Sequence, residues 1–103
     1  ADRIIQLGGT PLLHPQDWFK HSGCDYDAPT DSYIEVILDQ NLKGERCAIR
    51  RYNQIAAFTA GKDFMTHQMA TQILAEELEH ENDIEDWITD INRMKEELRK
   101  IRL

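Results

Sequence analysis

Apolar residues recur at three- and four-residue intervals along most of the chain, and this pattern predicts two long helices. The first covers residues 32–60 and opens on Ser32, with Glu35 three positions later in the spacing of a capping box. The second covers residues 63–102, which contain no proline or glycine. The short link around Gly61 predicts that the two helices form an antiparallel hairpin.

The first third of the chain has a different pattern. Residues 1–9 are typical of the last turns of a helix, because their apolar positions end at Gly8-Gly9. Residues 10–31 are rich in proline and aspartate, which predicts a loop with room for one short helix starting near Pro15. The chain starts without methionine and already inside a helical pattern, so we expect the fold to begin upstream.

Composition narrows the class of protein. With 103 residues, 41% hydrophobic and 30% charged, the chain suits one small soluble helical domain. It has neither a secretory signal nor an apolar run near the roughly 20 residues that span a bilayer, so we expect a cytoplasmic protein without membrane contact. The net charge of −7 disfavours nucleic acid as a partner and favours metal cations.

Three polar side chains lie within the apolar stripes of the long helices. Glu45 is at the centre of the first stripe, and Glu77 is at the centre of the second, with His80 about 60° to one side. The apolar residues within about 40° of Glu45 are Ile34, Leu38, Ile49, Tyr52 and Ala56. An unpaired carboxylate in such a position costs several kcal/mol, so both acids need a partner.

The neighbouring charges favour a cation as that partner. Glu81 also lies near the second stripe, whereas Glu76 and Glu79 point to solvent, and no Lys or Arg shares either stripe within about three turns. Glu-x-x-His on one helix facing a single Glu on another is typical of di-iron and di-manganese helical bundles. The alternative is a non-enzymatic assembly hairpin, whose acids pair with Lys or Arg of a partner.

The two cysteines, Cys24 and Cys47, allow two interpretations. They are either small buried hydrophobes or a redox pair, and the residues alone leave both open.

Together these residues resemble the ferritin-like family. The stretch "ILAEELEHENDIEDW" resembles its last bundle helix, with Glu77 and His80 as Glu-x-x-His. The stretch "NLKGERCAIRRYN" resembles the preceding helix, with Glu45 as a bridging carboxylate and Tyr52 in the tyrosine position near the metals. "QLGGTP" resembles the end of the second helix.

The resemblance is most specific to the Dps-like ferritins called thioferritins, which have a bacterioferritin-type di-iron site. That branch carries a cysteine pair beside the metals, and Cys24 and Cys47 match both positions. Since Cys47 lies about 200° from Glu45 around the helix, the implied role is a neighbouring redox or structural disulfide, not metal ligation.

The resemblance implies an all-α fold: a ferritin-like four-helix bundle. This chain would supply the end of the second helix, the crossover loop and the last two antiparallel helices. The remaining metal ligands would come from N-terminal helices of the same protein. Glu45, Glu77 and His80 would bind iron and act in catalysis, with Glu81 as a further candidate ligand and Tyr52 beside them.

The implied function is that of a mini-ferritin. Such a protein oxidises Fe(II) with hydrogen peroxide or oxygen and stores ferric oxide inside a homo-oligomeric cage of twelve subunits. Manganese or zinc could replace iron, and haem binding is undecidable from this part of the sequence. We do not expect direct DNA binding. A rubrerythrin-like peroxidase and a manganese catalase are alternatives within the same fold.

Overall fold

The computed structural model describes residues 1–25 and 30–102, so residues 26–29 of the predicted loop and the terminal Leu103 lie outside the described part. The described residues form helices and no strands, which confirms the all-α prediction. The elements in chain order are α1 (Asp2–Gln6), α2 (Pro15–Ser22), α3 (Ile34–Thr59) and α4 (Phe64–Arg102).

The start of α3 differs from the sequence prediction. The helix begins at Ile34 after an extended Tyr33, and no side chain caps it, so the predicted capping box of Ser32 and Glu35 is wrong. The Asp31 carboxylate accepts a hydrogen bond from the Tyr33 N–H at 2.9 Å and so forms a local turn before the helix. Glu35 instead forms an ion pair with Lys95 of α4.

A tight turn joins α3 to α4 and makes them neighbours. Gly61 has a φ of 71°, a left-handed conformation that costs glycine little. Asp63 then caps α4, because its carboxylate accepts a hydrogen bond from the Thr66 N–H at 3.1 Å. The same carboxylate binds the guanidinium of Arg3 at 2.7 Å, which holds α1 against the start of α4.

The core between α3 and α4 is small. It consists of the buried Leu38, Leu42 and Ile84, with the partly buried Ile88 and Ile91 packed against them. Other large apolar side chains of the two helices are exposed, among them Phe58, Trp87 and Met94. The hairpin therefore has an apolar surface that the described residues leave uncovered. None of the described helices combines the length and the apolar character needed to cross a membrane.

Candidate metal centre

Glu45 of α3 and Glu77 and His80 of α4 point toward one another between the two helices. Each offers one ligand atom, and the three atoms all lie within 4.8 Å of one another. His80 Nδ1 is 3.7 Å from Glu45 Oε2 and 3.8 Å from Glu77 Oε2. These distances exceed those of good hydrogen bonds, so the three groups surround a point in space without bonding to one another.

The packing of the helices explains why these side chains meet. Glu77 and His80 are three residues apart and therefore project from the same side of α4. On α3, Glu45 follows the buried Leu42 by three residues and shares its side of the helix. Since Leu42 and Ile84 belong to the same core cluster, their contact also aligns Glu45 with Glu77 and His80.

Glu45 has a buried carboxylate oxygen that lacks a hydrogen-bond partner. The Glu45 and Glu77 side chains are 24% and 21% exposed, whereas His80 is 55% exposed. Glu45 Oε2 is itself buried and has no hydrogen-bond partner. Burying a carboxylate oxygen in this way is unfavourable unless a donor or a cation reaches it. A donor set of two carboxylates and one imidazole suits iron, manganese or zinc.

The nearby basic residues bind elsewhere. In the part of the chain that the structure describes, no Lys or Arg forms an ion pair with Glu45 or Glu77. Arg46, the next residue after Glu45, reaches across to α4, and the hydrogen bonds that it donates to Glu85 and then to Glu81 raise its pKa. Among the described residues, the basic side chain that lies within 4 Å of both carboxylates is the imidazole of His80.

Glu81 lies outside the cluster. Its Oε2 accepts a hydrogen bond from Arg46 Nε at 3.2 Å, and Arg46 Nη2 donates to Glu85 Oε1 at 2.8 Å. In this arrangement the Glu81 carboxylate is bound to Arg46, and its role as a further ligand stays a prediction. A helical wheel shows the direction of Glu81 on its own helix but not the arginine opposite it, which is why Arg46 was missed.

The cysteines form a disulfide, which excludes the interpretation as two free hydrophobes. Cys24 and Cys47 are joined with their Cα atoms 5.9 Å apart. The bond fixes the segment after α2 to α3, two residues beyond Glu45, and neither sulfur belongs to the group of ligand atoms. A cavity of about 650 Å³ lies at this junction, and Glu45 and both cysteines are among its lining residues.

Tyr52 is half-buried on α3, seven residues after Glu45. Seven residues are about two helical turns, so Tyr52 lies on the same side of α3 as Glu45. Its role beside a metal stays a prediction.

The fold and the cluster together define a ferritin-like domain. The family model of that domain matches residues 1–94, and the chain belongs to the ferritin-like family. The predicted resemblance is thereby confirmed.

The chain is similar to a DNA protection during starvation protein and to a thioferritin. It is 39% identical over 88 residues to the DNA protection during starvation protein of Pyrococcus furiosus, an alignment that covers 84% of this chain and 48% of the relative. It is also similar to the structure of the bacterioferritin-related protein of Bacteroides fragilis, a dodecameric thioferritin. That comparison gives a TM-score of 0.90 and 55% identity, and covers 94% of this chain and 58% of the other. The chain thus spans about half the length of these relatives.

Proposed function

We propose that this protein is a mini-ferritin that binds Fe(II) as its substrate at Glu45, Glu77 and His80, oxidises it and stores the ferric product in a cage. The observation that carries the proposal is the buried oxygen of Glu45, which has no hydrogen-bond partner and faces His80 and Glu77. Membership of the ferritin-like family supports iron as the cation.

In this proposal the two glutamates and the histidine have different roles in binding iron. Glu45 and Glu77 would supply negative charge and oxygen ligands, which favour Fe(III) over Fe(II) and so assist oxidation. His80, the most exposed of the three, would hold one iron from the solvent side. In the overall reaction, one hydrogen peroxide molecule accepts one electron from each of two Fe(II) ions together with two protons, and leaves as two water molecules. Oxygen is a second candidate oxidant.

The rest of the bundle is part of this proposal. A ferritin-like bundle has four long helices, and α3 and α4 supply two of them. N-terminal helices of the same protein would cover the exposed apolar side chains of the hairpin and bring further ligands to the cluster. The dodecameric thioferritin of Bacteroides fragilis supports a homo-oligomeric cage of twelve subunits.

The disulfide also has a place in the proposal. It ties the segment after α2 to α3 and lines the same cavity as Glu45. We propose that Cys24 and Cys47 act as a redox or structural pair beside the iron site. Tyr52 would stand near that site from the same side of α3.

An anaerobic titration of the full-length protein with Fe(II), followed by peroxide, tests the function. We expect about two Fe(II) ions per subunit, the stoichiometry of di-iron bundles, and rapid oxidation when peroxide is added. Glu77→Gln and His80→Ala should each weaken Fe(II) binding strongly. Glu79→Gln is the matched control, because Glu79 is exposed on the same helix and carries the same charge. An absence of Fe(II) binding in the unmodified protein would refute the proposal.

A further inference from the structure

Arg46 occupies a distinctive position between the two helices. It directly follows Glu45 on α3, and its guanidinium bridges Glu81 and Glu85 on α4 at 3.2 and 2.8 Å. Glu81 in turn directly follows His80. The ion pair therefore lies immediately beside the candidate metal cluster and joins the same two helices.

Glu81 has the position of a metal ligand but not the contacts of one. It is four residues after Glu77, so the two side chains leave α4 within about 40° of each other. Its side chain is 26% exposed, close to the 21% of Glu77. The difference between these two acids lies in their partners: Glu81 bonds to Arg46, whereas Glu77 faces Glu45 and His80.

We propose that Arg46 withholds Glu81 from the metal cluster and thereby sets how many carboxylates of α4 reach a bound cation. Arg46 is a positioning residue: it acts through Glu81 and does not touch the cation itself. The inference rests on the proposed function, because it assumes that Glu45, Glu77 and His80 hold the cation.

Replacing Arg46 has effects of opposite sign on the affinity of the cluster for a cation, and the larger effect determines whether binding strengthens or weakens. The loss of a positive charge and the release of Glu81 both favour cation binding, and an additional oxygen ligand favours Mn²⁺ in particular. The loss of the cross-helix ion pair would loosen the site. That pair is 49% exposed at Arg46, and such pairs contribute little to stability. The buried Leu42 and Ile84 keep the helices aligned, so we expect the gain to dominate.

The test is a double-mutant cycle on Mn²⁺ affinity, measured by calorimetry in the full-length protein without oxidant. Arg46→Gln should bind Mn²⁺ about tenfold more tightly, a coupling of the size found between contacting residues. Glu81→Gln alone should weaken binding only modestly, through the loss of a nearby negative charge, because Glu81 is not a ligand in the unmodified protein. The double variant Arg46→Gln/Glu81→Gln should return to near the original affinity.

Arg99→Gln is the matched control. It also removes an exposed guanidinium that pairs with a glutamate, but it lies about 27 Å along α4 from residue 81. It should leave Mn²⁺ affinity unchanged. A crystal structure of Mn²⁺-loaded Arg46→Gln should show a Glu81 oxygen on the ion.

Several results would overturn the inference. Unchanged or weaker Mn²⁺ binding in Arg46→Gln would do so, and a loss of helicity in that variant would assign Arg46 a purely structural role. Strongly weakened binding in Glu81→Gln alone would show that Glu81 is already a ligand. If the unmodified protein binds neither Mn²⁺ nor Fe(II), the proposed function itself fails, an outcome distinct from binding that is insensitive to Arg46.

Discussion

The substitution Glu45→Gln should make the metal-free protein more stable while removing its ability to bind metal. Glu45 and Glu77 place carboxylate oxygens within 4.8 Å of each other, and one of these oxygens is buried without a partner. Glutamine has nearly the same size but no charge, so the change relieves the repulsion without leaving a cavity. A residue kept for function at the expense of stability is common at binding sites.

The size of the effect follows from the geometry. Two unit charges at this separation repel by about 1 kcal/mol in water and by about 3 kcal/mol at the effective dielectric constant of a protein surface. The side chains are 24% and 21% exposed, so solvent screens part of the repulsion. We therefore expect a gain of about 1 kcal/mol, which raises Tm by about 2–4 °C in a complete four-helix domain of about 150–250 residues.

Thermal unfolding in the presence of a chelator measures this gain, and the same experiment with Mn²⁺ tests its cause. At a Mn²⁺ concentration about 100 times the Kd, the unmodified protein should gain about 2.7 kcal/mol. Glu45→Gln should gain little, so that the order of the two Tm values reverses. Protein concentration must be the same throughout, since oligomers unfold in a concentration-dependent way.

Glu79→Gln separates a local effect from a change in net charge. Glu79 is exposed and lies on the same helix, so its substitution should leave both Tm values nearly unchanged. Our reasoning would be refuted if Glu45→Gln lowered Tm in chelator, or if Glu79→Gln raised it equally. Either result would mean that the carboxylates of the cluster do not destabilise the metal-free protein.

Three further predictions concern the surroundings of the site. Hydrogen bonds from Thr66, with Arg3 also contributing, lower the pKa of Asp63. The ionised Asp63 carboxylate therefore stabilises the fold above the ordinary carboxyl pKa, and this stabilisation is lost as the pH falls through the lowered pKa. Asp63→Asn should remove the contribution of this carboxylate to the acid dependence of hydrogen exchange in α1. Alkylation followed by mass spectrometry should modify neither Cys24 nor Cys47 before reduction and both after it, and replacing both by serine should cost about 3 kcal/mol of unfolding free energy. Gly44→Ala should raise that free energy by about 1 kcal/mol, because the added Cβ meets no atom within 4 Å; a loss would show that another helix packs there.

Much of the fold could be predicted because it depends on periodicity along one helix at a time. Apolar spacing predicted both long helices, and the helices lie at Ile34–Thr59 and Phe64–Arg102. The same spacing placed Glu45 and Glu77 inside the apolar stripes, and the structure brings both together with His80. A carboxylate in an apolar stripe is informative, since rotating it outward would expose its apolar neighbours.

The missed features depend on relations between segments that a single helix does not reveal. The capping box of Ser32 and Glu35 had the right spacing, but Asp31 forms the turn and Lys95 attracts Glu35 from another helix. Glu81 was predicted as a candidate ligand from its direction on α4 alone, and that direction does not reveal that the guanidinium of Arg46 on α3 binds its carboxylate. In both cases a cross-helix ion pair decides the contacts of a glutamate.

The pairing of the acids explains why the cluster stands out. The half-buried acidic residues of α3 and α4 are Glu35, Glu45, Glu77 and Glu81. Lys95 binds the first of these and Arg46 the last, so each has a basic partner within the hairpin. The other two face each other and the ring of His80, and one of their oxygens is buried without a donor. Because Lys95 and Arg46 pair with the other half-buried acids, Glu45 and Glu77 are the half-buried acids of the described α3 and α4 residues that form no ion pair with Lys or Arg. That arrangement is the one expected of a metal centre and not of a solvated helix face.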